Sequence, residues 1–324
     1  MAIFPAINER TVETDQEKIR IFIVWGLSHA GGAGELSGSA ENDTPWFWEP
    51  GKAVPGCYIY DKFKRVGGQP IDLSTTDSTR SNEPHAWQPL TTGYGGGDDD
   101  EPWITTPTAP LGGWDTVFAH LWRQYTGERI FIVKMAVGGS TLADKNPGVT
   151  PYWGTAGLGS GILSNLEILM DAYWAPALAA AITMAGGDRD KVTLGGIVSM
   201  VGSSDIYSAP AMAAYQANLT AIIAHMRSVI AQPGDDLLVP WLIVKSPLPE
   251  STVAAPTLRA DVATIRAAQE ATAGALTNVA ITDAAGMRYG ADGIHLDWMG
   301  NFQLGTALYK ATKAMTGYVG PIGD

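Results

Sequence analysis

"IFIVWGLSHAGGAGE", residues 21–35, carries an apolar run into a glycine-rich turn and places Ser28 at the junction. The run starts at Ile19 and is rich in isoleucine, valine and aromatic residues. It lacks the alternation of a strand with one wet face, so it reads as a strand buried on both faces. Four later runs share this character: "RIFIVKMAV" (129–137), "VTLGGIVSMV" (192–201), "LLVPWLIV" (237–244) and "NVAIT" (278–282). Helix formers fill the intervals, in "WDTVFAHLWRQY" (114–125), "LSNLEILMDAYWAPALAAAITMA" (163–185), "AMAAYQANLTAIIAHMRSVI" (211–230) and "TLRADVATIRAAQEATAGAL" (257–276). A last helix follows Asp297, a residue type suited to an N-cap. Strands alternating with helices predict an α/β fold, a three-layer α/β/α sandwich around a five-stranded parallel sheet.

The totals bound the function. The 324 residues are read as one domain spanning 1–324, long enough to bury a full core. A net charge of −12 and the lack of a Lys/Arg cluster argue against a nucleic-acid partner. No apolar run reaches the roughly 18–20 residues that span a bilayer, so no membrane partner is expected. The first residues, "MAIFPAINERTVETDQEK", are acidic where a secretory signal is basic and then apolar. The expectation is synthesis in the cytoplasm without a signal, with the place of action left open. A single cysteine, Cys57, forms no internal disulfide and supplies no zinc-ligand spacing. Neither a metal nor another cofactor is expected.

Residues 29–112 break the rhythm. They are full of Gly, Pro, Asp and Trp, and read as a long loop insertion over the strand ends. Trp46, Trp48, Trp87 and Trp103 fall within it. They either form a satellite core beneath the loop or offer flat faces to a ligand ring. The acidic run "GGGDDDE" (95–101) reads as a solvated loop rather than a calcium site.

In open α/β sheets, ligands bind beyond the carboxyl ends of the strands. Four polar or glycine-rich turns follow strands directly: the one holding Ser28, "GGST" (138–141), "GSSD" (202–205) and "ADGIHLD" (291–297). Each suits a part in acyl transfer. Ser28 is a nucleophile if a base takes its proton, and His295 can be that base. Asp292, three residues earlier, can hold the imidazole in the required tautomer. The backbone N–H groups of Gly139 and Ser28 can serve a developing oxyanion. Asp297 competes with Asp292 but suits helix capping better. His29, His85, His120 and His225 read as structural.

These four blocks resemble the SGNH (GDSL-type) hydrolase superfamily, and most its carbohydrate-esterase and sialate O-acetylesterase branch. There the first block reads roughly G-Q-S-N-A-x-G, here "GLSHAGG"; the second is a G-G-S turn, here "KMAVGGSTL". The third is usually Q-G-E-S-D, here "VGSSD", and the fourth is D-G-x-H-x-D, here "DGIHLDWMGN". The resemblance implies a flavodoxin-like fold. It also implies removal of short acyl groups from O-acetylated carbohydrate, or another small ester, by Ser28, His295 and Asp292. Leu27 and His29 replace the usual Gln and Asn. Val201 stands where the branch has its Gln, and Ser204 where the wider superfamily has an Asn oxyanion donor. Losing one such donor commonly costs about 10²–10³ in turnover: either the Ser203 or Ser204 hydroxyl substitutes, or a loop group does, or turnover is slower than in such relatives, with Ser204 at the Asn position the expected donor. Two other readings stay open: an esterase or acyltransferase for non-carbohydrate esters, and a non-catalytic carbohydrate-binding protein. The oligomeric state is not legible.

Overall fold

In a computed structural model, the protein is described at residues 18–27, 30, 53–60, 86–91, 113–136, 140–142, 153, 174–230, 239–246, 256–290, 293 and 295–316. Seven strands, β1 (Ile19–Gly26), β2 (Ala53–Tyr60), β3 (Trp87–Thr91), β4 (Arg129–Ala136), β5 (Val192–Met200), β6 (Trp241–Val244) and β7 (Val279–Thr282), form one sheet. Their order is β3-β2-β4-β1-β5-β6-β7. Every pairing is parallel except β2 with β3. The described helices are α1 (Asp115–Thr126), α2 (Ala175–Met184), α3 (Ala209–Ile230), α4 (Pro256–Ala275) and α5 (Trp298–Thr316).

The five strands legible in the sequence are the core β4-β1-β5-β6-β7. Renumbered among themselves they run 2-1-3-4-5, the flavodoxin-like order. The count of five is corrected to seven, because the insertion supplies β2 and β3. It is therefore not loop throughout. Its strands are hard to read because Pro55 and Gly56 interrupt "AVPGCYIY", and Pro89 sits in "WQPLT". Pro89 is tolerated because β3 is an edge strand, where one row of backbone groups needs no partner strand.

The alternation of β1 sorts the core into two layers. Ile19, Ile21, Ile23 and Trp25 join the layer built with residues of α2, α3 and α4. Phe22 and Val24 join the layer built with α1 and α5. Trp25 meets Trp153 and Trp241 edge-to-face at 5.4 and 5.9 Å. On the other face Phe22 meets Phe118 at 4.8 Å. Such pairs add about 0.5–1.5 kcal/mol each beyond the area they bury. No described helix is long and apolar enough to cross a membrane.

Two buried ion pairs interrupt these layers. Arg20 forks onto Glu128 at 2.5 and 3.0 Å, and Lys134 reaches Asp115 at 2.6 Å. Lys134 lies two residues before the end of β4, level with Val24. Asp115 is the first residue of α1.

Candidate active site

The direction of strand addition reverses at β1, between β4 and β5, which makes their carboxyl ends the expected ligand site. Gly26 pairs with Met200 at the last rung of the β1–β5 ladder, and the Leu27 N–H continues to the Met200 carbonyl at 3.1 Å. A side chain at position 26 would not fit. Its Cβ would lie 2.2 Å from the Met200 carbonyl oxygen, and φ is +149°. This glycine lets the chain turn out of β1 immediately before Ser28.

The turns after β4 and β5 are tied together. Asp205 is fully buried, and its Oδ1 accepts the Leu142 backbone N–H at 3.0 Å. The Trp153 indole N–H donates to Ser140 Oγ at 2.9 Å, and the Trp153 backbone N–H to the Thr141 carbonyl at the same distance. Residues 140–142 are thus fixed from both sides.

A second buried network lies behind the turn after β5. The Gln269 amide donates to the Val201 carbonyl at 2.9 Å and to the Tyr215 hydroxyl at 3.1 Å, and its oxygen accepts the Ser246 N–H at 2.9 Å. Tyr215 donates to the same Val201 carbonyl at 3.0 Å. Burial, with the nearby Asp205 charge, pushes the Tyr215 phenol well above its ordinary range, although the Gln269 hydrogen bond pulls the other way. Tyr215 is therefore a neutral donor. The Ser203 hydroxyl lies 3.3 Å from that of Ser246. An amide thus reaches the backbone carbonyl of Val201. Its N–H groups are spent on holding the turn.

His295 sits in a small hairpin between β7 and α5. Tyr289 and Leu296 pair as an antiparallel bridge. The Gly290 N–H donates to the His295 carbonyl at 2.8 Å, and the Asp297 N–H to the Arg288 carbonyl at 3.1 Å. Leu296 is buried in the same apolar layer as Ala30 and Met200, and His295, on the chain that leaves the carboxyl end of β7, is half-buried. Asp297 is the N-cap of α5: its Oδ1 accepts the Gly300 N–H at 2.9 Å, and its Oδ2 meets Arg288 at 2.5 Å.

Of the residues assigned to the site from the sequence, His295, Ser204 and Trp87 are described. Ser28, Asp292, Gly139, Trp46, Trp48 and Trp103 lie outside the described residues, as do His29, His85 and the acidic run 95–101. Ser204 is half-buried and precedes a single 3-10 turn, Asp205–Tyr207. Trp87 stands in β3, three strands from β1 and so about 14 Å to one side. Its ring packs on Phe131 and Tyr60, and its N–H donates to the Ala177 carbonyl at 3.1 Å, pinning α2 to the sheet edge. Cys57 is buried, which pushes its thiol up to about 12 against the weaker pull of Arg123. His120 is buried in α1.

Asp205 and Gln269 escaped the sequence reading. Asp205 was visible in "GSSD" but had no role, because its partner is 63 positions away. Gln269 left a clearer trace. Val262, Ile265, Gln269 and Thr272 are all fully buried at helical spacing, so the glutamine interrupts an inward-facing stripe. A polar residue in such a stripe has a buried partner to find.

The model of the family "carbohydrate esterase, sialic acid-specific acetylesterase" matches residues 100–314. Comparison with curated protein sequences gives no match. Among solved structures, NanS is 14% identical with a TM-score of 0.57, covering 94% of this chain and 99% of its own. A protein from Arabidopsis thaliana is 18% identical with a TM-score of 0.53, covering 92% and 98%. A carbohydrate acetylesterase from Xanthomonas citri is 16% identical with a TM-score of 0.53, covering 93% and 57%. At these identities the likeness is one of fold.

Proposed function

The chain belongs to the carbohydrate esterase family of sialic acid-specific acetylesterases, and from that premise we propose that it removes acetyl groups from O-acetylated carbohydrate through Ser28, His295 and Asp292. As a member it is a carboxylic ester hydrolase. The observation that carries the finer reading is convergence at the switch point. The chain leaves β1 toward Ser28 at the rung where Gly26 meets Met200. The turn with Ser204 is locked to the turn after β4, and His295 rides a hairpin on the same edge.

In this reading Ser28 Oγ attacks the acetyl carbonyl while His295 takes its proton. Asp292 orients the imidazole and stabilises the imidazolium. The oxyanion accepts hydrogen bonds from the Ser28 and Gly139 N–H groups and from the Ser204 hydroxyl. Ser204 is favoured because it stands at the position of the superfamily's Asn donor in the third block. His295 then protonates the departing sugar hydroxyl. A water, deprotonated by the same histidine, releases acetate and regenerates Ser28.

The test is acetate release by wild type and a Ser28→Ala variant. The variant is expected to lose at least about 10³-fold in turnover while keeping its fold. Retention of more than about a tenth of the activity would overturn the assignment of the nucleophile. Acetyl esters are expected to be cleaved faster than butyryl, with octanoyl poor, and a maximum at long acyl chains would remove the acetylesterase reading.

A further inference from the structure

Three large hydrophobic side chains are exposed among the described residues: Met184, Tyr207 and Val229. Two of them lie at the amino edge of the sheet. The Met184 carbonyl accepts a hydrogen bond from Arg129, the first residue of β4. Val229 lies two residues after Arg227, whose guanidinium holds the carbonyls of Val239 and Asn278 just ahead of β6 and β7. Tyr207 stands at the opposite, carboxyl edge, three residues past Ser204.

Its exposure does not come from a slack loop. Asp205 and Ile206 are 0% and 2% exposed, and Tyr207 is 65% exposed. Asp205 is anchored on Leu142. The Tyr207 N–H turns back to the Ser204 carbonyl at 3.4 Å, and the Ser208 N–H to the Asp205 carbonyl at 3.1 Å. The Ser208 carbonyl then accepts the Met212 N–H at 2.9 Å as α3 begins. A single exposed aromatic is ordinary on a protein surface. One carried on a turn fixed at both ends, beside the proposed oxyanion serine, is placed to meet substrate.

We infer that Tyr207 is a specificity-determining residue whose ring stacks on the apolar face of the pyranose that carries the scissile acetyl group. The inference rests on the acetylesterase reading above. A pyranose presents C–H bonds on its faces and oxygens around its rim. A phenol ring matches that pattern with a flat apolar face and a polar tip. With two rotatable side-chain bonds it also loses little freedom on contact. An acyclic ester has no ring to stack.

The experiment measures acetate release from glucose pentaacetate and from ethyl acetate by wild type, Tyr207→Ala, Tyr207→Phe and Tyr207→Trp. Tyr207→Ala is expected to raise KM for the sugar ester at least about fivefold with little change in kcat, and to leave ethyl acetate within about twofold. Tyr207→Phe and Tyr207→Trp are expected to restore the sugar KM. An equal effect on both esters, an unchanged sugar KM in Tyr207→Ala, or no rescue by Phe would overturn it. Wild type that cleaves the sugar ester with a KM that Tyr207→Ala leaves unchanged overturns this inference alone, whereas wild type that cleaves ethyl acetate but not the sugar ester removes the carbohydrate substrate from both readings. Wild type inert toward both brings down the esterase reading and the inference with it. Unmoved thermal unfolding in all three variants checks that only the surface has changed.

Discussion

Asp205 Oδ1 and the Leu142 backbone N–H, 3.0 Å apart and buried, join two turns that approach the carboxyl edge from different strands. Removing the carboxylate leaves that N–H without its acceptor, a loss of about 1–3 kcal/mol for a buried group. Asp205→Ala is therefore expected to lower stability by this amount, read from urea unfolding. Its kcat for acetyl esters should fall further than the lost stability explains, since Gly139 and Ser204 flank the joined turns. Asp205→Asn keeps a carbonyl acceptor and should do less on both counts.

The two aspartates of "DGIHLD" are expected to separate cleanly. Asp297→Asn keeps an acceptor for the Gly300 N–H and loses the charge facing Arg288, and should cost about 1 kcal/mol or less in stability. Its effect on turnover should be small. Asp292→Asn should leave unfolding nearly unmoved and lower kcat by about 10⁴, because an amide favours the wrong imidazole tautomer. Paired unfolding and acetate-release measurements check both, and the reverse ranking would make Asp297 the orienting acid.

How much of this was legible depends on distance along the chain. The inner strands announce themselves because burial on both faces demands unbroken apolar runs such as "IRIFIVWG". Asp297 was legible as a cap because a cap acts on the next turn of its own helix. β2 and β3 were not, since β2 gains its place by pairing three residues with β4 and carries Pro55 and Gly56 within it. Gln269 was missed because its partners, Val201, Tyr215 and Ser246, come from three other segments. Sequence reports what a residue does to its neighbours in the chain far better than what it does across the fold.

The buried pair Lys134–Asp115 makes an asymmetric prediction. Breaking such a pair from one side costs about 3–5 kcal/mol. Asp115 begins α1, where the helix dipole favours a carboxylate in any case. Lys134 projects from a strand, where backbone dipoles nearly cancel. Asp115→Asn should thus destabilise more than Lys134→Met, and the double variant less than the sum. Chemical denaturation of the three variants measures the coupling.

Burial of His120 lowers its pKa from 6.5 to about 4. The unfolded chain takes up a proton below pH 6.5 that the folded chain refuses until about pH 4. Stability from this group is thus full above pH 6.5 and falls as the pH drops toward 4, by on the order of 3 kcal/mol in total. A His120→Leu variant should lose this part of the slope, and the difference between the two denaturation profiles across pH 4–6.5 isolates it.

The outer strands have a consequence for how the molecule opens. β2 is joined to β4 along three residue pairs, Cys57 to Ile59, whereas β1 is joined to β4 along eight. A seam that short predicts a sub-global unit: in a hydrogen-exchange measurement the amides of β2 and β3 are expected to exchange before those of β1, β4 and β5. Val54, Cys57, Ile59 and Leu90 are buried in the apolar layer shared with α1 and α5, so release of this unit would open that layer at its flank while the β1–β4 and β1–β5 ladders stay closed.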